Sequence, residues 1–196
     1  MRKSLYKHNE KVTGFEFDNI GSVKIRYFLK IKLDNAFDKV CTFICKNPSD
    51  ADATVSDPTI NILSELLHTR ENCYEIGTIY IVNVYPFYEP NSENLFELLK
   101  NINILSPDKH RFMKTKNLGT ILRICGESDH VIAAWGENPN GFPKEIYNQD
   151  IHKLENELRS NGITTGHLHW KGKELTDTGY YFHPGRKSVS DLMIKW

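Results

Sequence analysis

The chain has 196 residues, 39% of them hydrophobic and 26% charged, a size and composition typical of one globular domain that needs no disulfide or metal to fold. Its 25 basic and 25 acidic side chains give a formal net charge of zero, which offers no support for a non-specific DNA-binding protein. No apolar run approaches the roughly 18 residues of a membrane span, and the basic N-terminus lacks the apolar centre of a signal peptide.

Four cysteines lie in or near apolar segments, and their spacing is not that of a zinc site. They are Cys41, Cys45, Cys73 and Cys125. We therefore expect reduced thiols in a cytoplasmic protein that has no membrane partner.

Two strand patterns follow an N-terminal arm. Residues 1–21 are polar and read as an arm or an edge hairpin, and residues 22–196 read as a single α/β domain. Apolar residues of one parity from Val23 to Leu33 alternate with Lys24, Arg26 and other polar residues, which predicts a half-buried strand. The run from Lys39 to Cys45 is almost wholly apolar and predicts a strand buried on both faces.

Helices and strands then alternate along the chain. Helical spacing predicts helices over 60–67, 93–101, 107–125 and 144–161, and apolar runs predict strands over 76–84, 130–135 and 163–168. This order predicts a three-layer α/β/α domain with a short, mostly parallel central sheet. The first strand is expected to add to it in the antiparallel direction, as an edge strand or hairpin.

Four predicted strand ends carry unusual residues. These are Asn47 with Pro48, Asn83 with Pro86, Trp135 with Gly136, and His183 with Pro184. Carboxyl ends of parallel strands share one edge of the sheet, so these residues are expected to meet in one crevice. Amides that pair with a base edge, rings that stack and a histidine that donates are typical of a pocket for a flat nucleobase. Core packing is the alternative for each aromatic ring.

The same motifs resemble an uncharacterised family. They run from Asn47-Pro48-Ser49-Asp50-Ala51-Asp52-Ala53 and Asp57-Pro58-Thr59-Ile60 through Asn83 and Val131-Ile132-Ala133-Ala134-Trp135-Gly136 to His183-Pro184. In this order they strongly resemble the family called domain of unknown function sixteen-forty-three, over roughly residues 25 to 186. That family supplies no established activity.

The motif order is also similar, more distantly, to the uracil-DNA glycosylase superfamily, whose members are α/β/α with a short parallel sheet. This resemblance implies that Asn47 positions a water, that Asn83 lies near the base and that His183 donates to the base carbonyl. Gly185 replaces a serine of that superfamily, a long loop follows Gly136, and no apolar wedge follows His183. A free nucleotide or an already unpaired strand therefore fits as well as a duplex.

Two functions of different classes are compatible with these residues. The first is a glycosylase-like hydrolase of a base–sugar bond, and the alternative is a non-catalytic module that binds a nucleotide or single-stranded nucleic acid. The predicted catalytic residues are Asn47, His183 and Asp57, the predicted base-binding residues are Asn83, Tyr85, Trp135 and Ser49, and the predicted phosphate-binding residues are Arg186 and Lys187. Asp57 would supply negative charge beside the sugar, or else only cap a helix.

Two alternating histidines raise the question of a metal site. His167 and His169 face the same side of a predicted strand and would need His183 as a third ligand. The surrounding sequence has no clear carboxylate–histidine repeat, so we predict no metal and no cofactor. The predicted partner is a nucleobase-containing ligand, either a nucleoside, a nucleotide or unpaired nucleic acid, and the oligomeric state is left open.

Overall fold

Seven strands form one mixed sheet in the computed structural model, which describes residues 5–7, 9–48, 51–52, 54–69, 75–89, 91–185 and 187–196. The strands are β1 (Lys11–Ile20), β2 (Val23–Lys32), β3 (Lys39–Cys45), β4 (Ile76–Asn83), β5 (His130–Ala133), β6 (Gly166–Trp170) and β7 (Leu192–Lys195). Their order across the sheet is β1-β2-β4-β3-β5-β6-β7. Strands β4, β3, β5 and β6 are parallel, while β1, β2 and β7 join through antiparallel pairings.

The predicted short, mostly parallel sheet is wrong, because both ends of the chain add strands. The expected N-terminal antiparallel hairpin is confirmed: β1 pairs with β2 through a turn at Gly21, whose φ is +58°. At the other end, Leu192 and Ile194 of β7 are buried while Met193 is exposed. This alternation fits a half-buried antiparallel strand, and it is only four residues long, too short to stand out in the sequence.

Helices cover both faces of the sheet. They are α1 (Pro58–Thr69), α2 (Leu95–Leu105), α3 (Pro107–Gly126) and α4 (Lys144–Ser160). Helix α1 packs through Leu63 against a core that includes Phe43, and the other helices form a second core with Ile44. Since successive strand residues point to opposite faces, the apolar run of β3 supplies both cores. Within the described ranges, no helix is both long and apolar enough to cross a membrane.

The strand order reverses between β3 and β5. From β3 the chain moves to β4 on one side, then crosses to β5 and β6 on the other. The Ala134 N–H donates to the Ile44 carbonyl at 2.9 Å, and the Val84 N–H donates to the Cys45 carbonyl at 2.9 Å, so the carboxyl ends of these strands lie side by side. In open α/β sheets such a reversal opens the crevice that binds ligands.

A tight turn follows β6 and folds the chain back on itself. Lys171 and Gly172 both have positive φ, at +51° and +76°, and Trp170 and Lys173 exchange two backbone hydrogen bonds of 3.1 and 3.0 Å. Two central residues with positive φ define the two-residue hairpin turn that matches the twist of paired strands. The predicted strand over 163–168 thus lies at 166–170 and continues into a hairpin.

Candidate functional site

A crevice of about 1330 Å³ lies at the carboxyl ends of the four parallel strands. This exceeds the roughly 300 to 1,000 Å³ of pockets for drug-sized ligands. Of the predicted site residues, it brings together Asn47, Asn83, Asp57, His183 and Lys187. Ser49 and Arg186 lie outside the described residues.

Asn83 is the last residue of β4 and is completely buried, with 0% exposure. Among the described residues, neither its Oδ1 nor its Nδ2 has a hydrogen-bond partner, although Asn83 lines the crevice. The backbone carbonyl of Asn83, in contrast to its side chain, does have a partner, because the Asn117 Nδ2 donates to it at 2.9 Å. A buried polar group without a partner costs about 1–3 kcal/mol. A donor and an acceptor are therefore kept unpaired side by side in the crevice wall.

Asn47 has one end of its amide fixed. Its Nδ2 donates to the Glu89 carbonyl at 2.6 Å and to the Pro48 carbonyl at 3.3 Å. No described residue donates to its Oδ1. The side chain therefore offers the crevice a hydrogen-bond acceptor that is oriented by the contact with Glu89.

His183 is held as a neutral imidazole. The Gly185 N–H donates to its Nδ1 at 3.0 Å, so the ring proton is on Nε2. Burial is the main cause that lowers the pKa of His183 to about 4, and the positive charges of Lys46 and Lys187 contribute to the same shift. At neutral pH the residue is consequently a hydrogen-bond donor through Nε2 without carrying charge.

Asp57 lines the crevice and also begins α1. Its Oδ1 accepts a hydrogen bond from the Ile60 N–H at 2.9 Å, which is the geometry of an N-cap. The residue is 4% exposed. One carboxylate oxygen therefore caps the helix, and the role of Asp57 beside a sugar stays a prediction.

The two aromatic residues predicted to bind the base do not line this crevice. The Tyr85 hydroxyl donates to Asp150 Oδ2 at 3.0 Å, and the Tyr85 ring packs 5.4 Å from that of Phe142. Trp135 is 1% exposed and meets Tyr181 edge-on at 5.6 Å. Both belong to the core beneath α3 and α4.

Trp170 and Phe182 are the rings that line the crevice within the described part of the chain. They meet edge-on with centroids 5.8 Å apart, and Lys187 Nζ lies 3.9 Å from the Trp170 ring centroid. The buried indole Nε1 of Trp170 has no hydrogen-bond partner in the part of the chain that the structure describes. The sequence signal for Trp170 was its place two residues after the predicted strand over 163–168, just before a lysine and a glycine.

Two basic residues in the crevice were also missed. Lys46, between β3 and Asn47, has its pKa lowered to about 8 by burial, against the opposing effect of the Glu137 carboxylate. Arg26 of β2 is 1% exposed and donates from Nη1 to the Ala51 carbonyl at 2.9 Å, and no described residue pairs with its Nε. Arg26 shares the polar parity of its strand, which predicted solvent exposure instead of a buried guanidinium.

Outside the crevice, the described residues include one group of three potential metal ligands. It consists of His167, His169 and Glu174, and His183 does not belong to it. The three described cysteines, Cys41, Cys45 and Cys125, are free and buried. Burial raises their pKa, so they are thiols without metal-ligand character.

The fold and the crevice define an α/β protein with a polar site at the reversal point of its sheet. The chain belongs to the family described as protein of unknown function (DUF1643), whose profile matches residues 26–185. The family resemblance of the sequence motifs is thereby confirmed. Neither the curated proteins nor the solved structures contain a match.

Proposed function

We propose that this protein binds a nucleobase-containing ligand in the crevice and hydrolyses its base–sugar bond. The observation that carries the proposal is the shared position of a buried unpartnered amide, Asn83, and a neutral imidazole donor, His183. The distant resemblance to the uracil-DNA glycosylase superfamily points in the same direction.

Asn83 would read the edge of the base. Its amide offers one acceptor oxygen and two N–H donors, which complement the neighbouring donor and acceptor of a base edge. Trp170 would contribute a ring face or its unpartnered indole N–H to the same ligand. These contacts would give hydrogen-bond partners to the Asn83 amide, which has none among the described residues, and this favours binding.

Cleavage would require stabilisation of two developing charges. As the bond between the sugar carbon and the base nitrogen breaks, its electron pair moves to the base and the sugar becomes cationic. His183 would donate from Nε2 to the base carbonyl, an oxyanion-hole role. Water oriented by Asn47 Oδ1 would add to the sugar carbon and release its proton to solvent, because an amide is too weak a base to accept it.

Cationic side chains that line the crevice favour a ligand that carries phosphate. Arg26 lines the crevice, its Nε lacks a partner, and it takes part in none of the ion pairs between described residues. Lys187 lies at the same crevice beside Trp170. Arginine is suited to planar recognition of phosphate oxygens, so a nucleotide or an unpaired strand fits better than a nucleoside.

A binding module without catalysis is the second candidate. It is favoured because the Asn47 amide is too weak a base to take a proton from water, and Asp57 Oδ1 already caps α1. Such a module would use the same contacts to Asn83, Trp170 and Arg26.

Mass spectrometry of released bases tests the proposal. The full chain is incubated with a panel of modified nucleosides, nucleotides, single-stranded DNA and RNA. Asn47→Ala and His183→Ala should abolish base release while retaining ligand binding, and the exposed α4 controls Asn156→Ala and His152→Ala should behave as wild type. Binding without release of any base supports the second candidate, and neither binding nor release refutes both.

A further inference from the structure

Two histidines and a glutamate meet on the β6 hairpin, away from the crevice. We propose that His167, His169 and Glu174 bind a divalent transition metal ion, with Zn²⁺ as the best match. The crevice chemistry does not use these residues, so this site stands independently of the proposed function.

The fold builds this group from two regular features. His167 and His169 are two residues apart on β6 and thus project from the same face of the sheet. The turn at Lys171 and Gly172 pairs Trp170 with Lys173, which brings Glu174 opposite His169. Residues directly opposite in a hairpin have side chains on the same face, so the carboxylate joins the two imidazoles.

The distances match a coordination site. His167 Nε2 and His169 Nε2 are 3.0 Å apart, and His169 Nε2 is 3.6 Å from Glu174 Oε1. All three potential ligand atoms lie within 4.8 Å of one another. Zinc–ligand bonds of about 2.0–2.2 Å in tetrahedral geometry separate the ligand atoms by about 3.3–3.5 Å. Small side-chain rotations would therefore place all three atoms around one ion.

Ring stacking fixes the orientation of the imidazoles. His167 is stacked between His169 and Tyr181, at centroid distances of 4.9 and 5.0 Å. The two imidazole rings would therefore need little rearrangement to bind a metal ion.

The ligand types select the metal. Two imidazoles and one carboxylate suit Zn²⁺ and related transition metals, whereas Mg²⁺ and Ca²⁺ prefer oxygen ligands alone. The Glu174 side chain is 66% exposed, so a water molecule can reach the fourth coordination position. Three protein ligands with one open position would allow the ion to bind or activate a small molecule.

Metal titration of the full chain tests this site. Tag-free protein treated with a chelator is titrated with Zn²⁺ by calorimetry, and with Co²⁺ by visible absorption, which reports four-coordinate geometry. We expect one ion per chain. His167→Ala and His169→Ala should each weaken binding by at least about 100-fold, since even loss of residues behind the ligands costs about 10- to 100-fold.

Two further variants show whether a loss of Zn²⁺ binding comes from the missing ligand or from misfolding. Glu174→Gln changes an exposed side chain, leaves the fold intact and should also weaken Zn²⁺ binding. The control is His152→Ala, which removes the histidine of a His–Glu pair on α4 with an Nδ1–Oε2 distance of 3.3 Å. Because that pair contains only one histidine, the variant should bind Zn²⁺ as wild type does. Absence of stoichiometric binding, or wild-type affinity in the His167, His169 or Glu174 variants, overturns the proposal.

Discussion

Gly136 lies so close to His183 that a Cβ atom added to the glycine would be 2.7 Å from the His183 Cβ. Gly136 comes three residues after β5, and its φ of +72° is a conformation that side chains disfavour. This contact joins the reversal point of the sheet to the last loop. The position of the imidazole in the crevice therefore depends on the missing side chain at residue 136.

Gly136→Ala should displace His183 and lower the free energy of unfolding by more than the roughly 1–2 kcal/mol that positive φ alone costs. Gly162→Ala is the matched control, because Gly162 also has a φ of +72° but nothing within 4 Å of an added Cβ. Urea denaturation measures both variants. Equal losses in the two would show that the contact with His183 contributes nothing.

Asn83→Leu should leave the protein equally stable or stabilise it by about 1–3 kcal/mol, because it removes two buried groups that lack partners. The same change should abolish ligand binding in the crevice. Asn117→Leu is the comparison, since it removes an amide that donates at 2.9 and 3.2 Å to backbone carbonyls, and it should destabilise. Thermal unfolding and ligand titration would measure both, and a strongly destabilised Asn83→Leu would contradict our account.

The pKa of His183, at about 4, predicts how acid affects the fold. An unfolded histidine has a pKa of about 6.5, so between pH 6.5 and 4 the unfolded chain binds a proton that the folded chain does not. This residue's contribution to stability should therefore fall as pH falls through that window. His183→Gln should show a shallower decline, and NMR titration of the imidazole protons should show no protonation down to about pH 5.

Lys46 should lower stability at neutral pH because its charge is partly buried. Its folded pKa of about 8 lies below the usual value of 10.5, so the folded state loses its proton first as pH rises. Lys46→Met should be more stable than wild type below pH 8, and the difference should shrink between pH 8 and 10.5. Urea denaturation at pH 7 and pH 10 tests this, with Lys100→Met, which alters an exposed lysine of α2, as control. An identical difference at both pH values would argue against a depressed pKa.

The positions of most helices and strands could be predicted from the sequence, but the side of the sheet that each apolar residue faces could not. Apolar periodicity located β2, β3, β4, β5 and the four helices of the described residues. Asn47, Asn83 and His183 do line one crevice, although His183 lies in a loop and not at a strand end as predicted. Tyr85 and Trp135 had equally good patterns but belong to the core under α3 and α4. A parallel strand is buried on both faces, so an apolar run predicts burial without predicting which side a residue occupies.

The sequence by itself determined the family, the alternation of strands and helices, and the polar residues that terminate the central strands. These are local properties, written in spacing along the chain. Only the tertiary structure decided that Arg26 is buried in the crevice, that Gly136 touches His183, and that Glu174 joins His167 and His169. Each of these depends on strand register or on a turn that folds the chain back, and such long-range pairing is not encoded in any short stretch of residues.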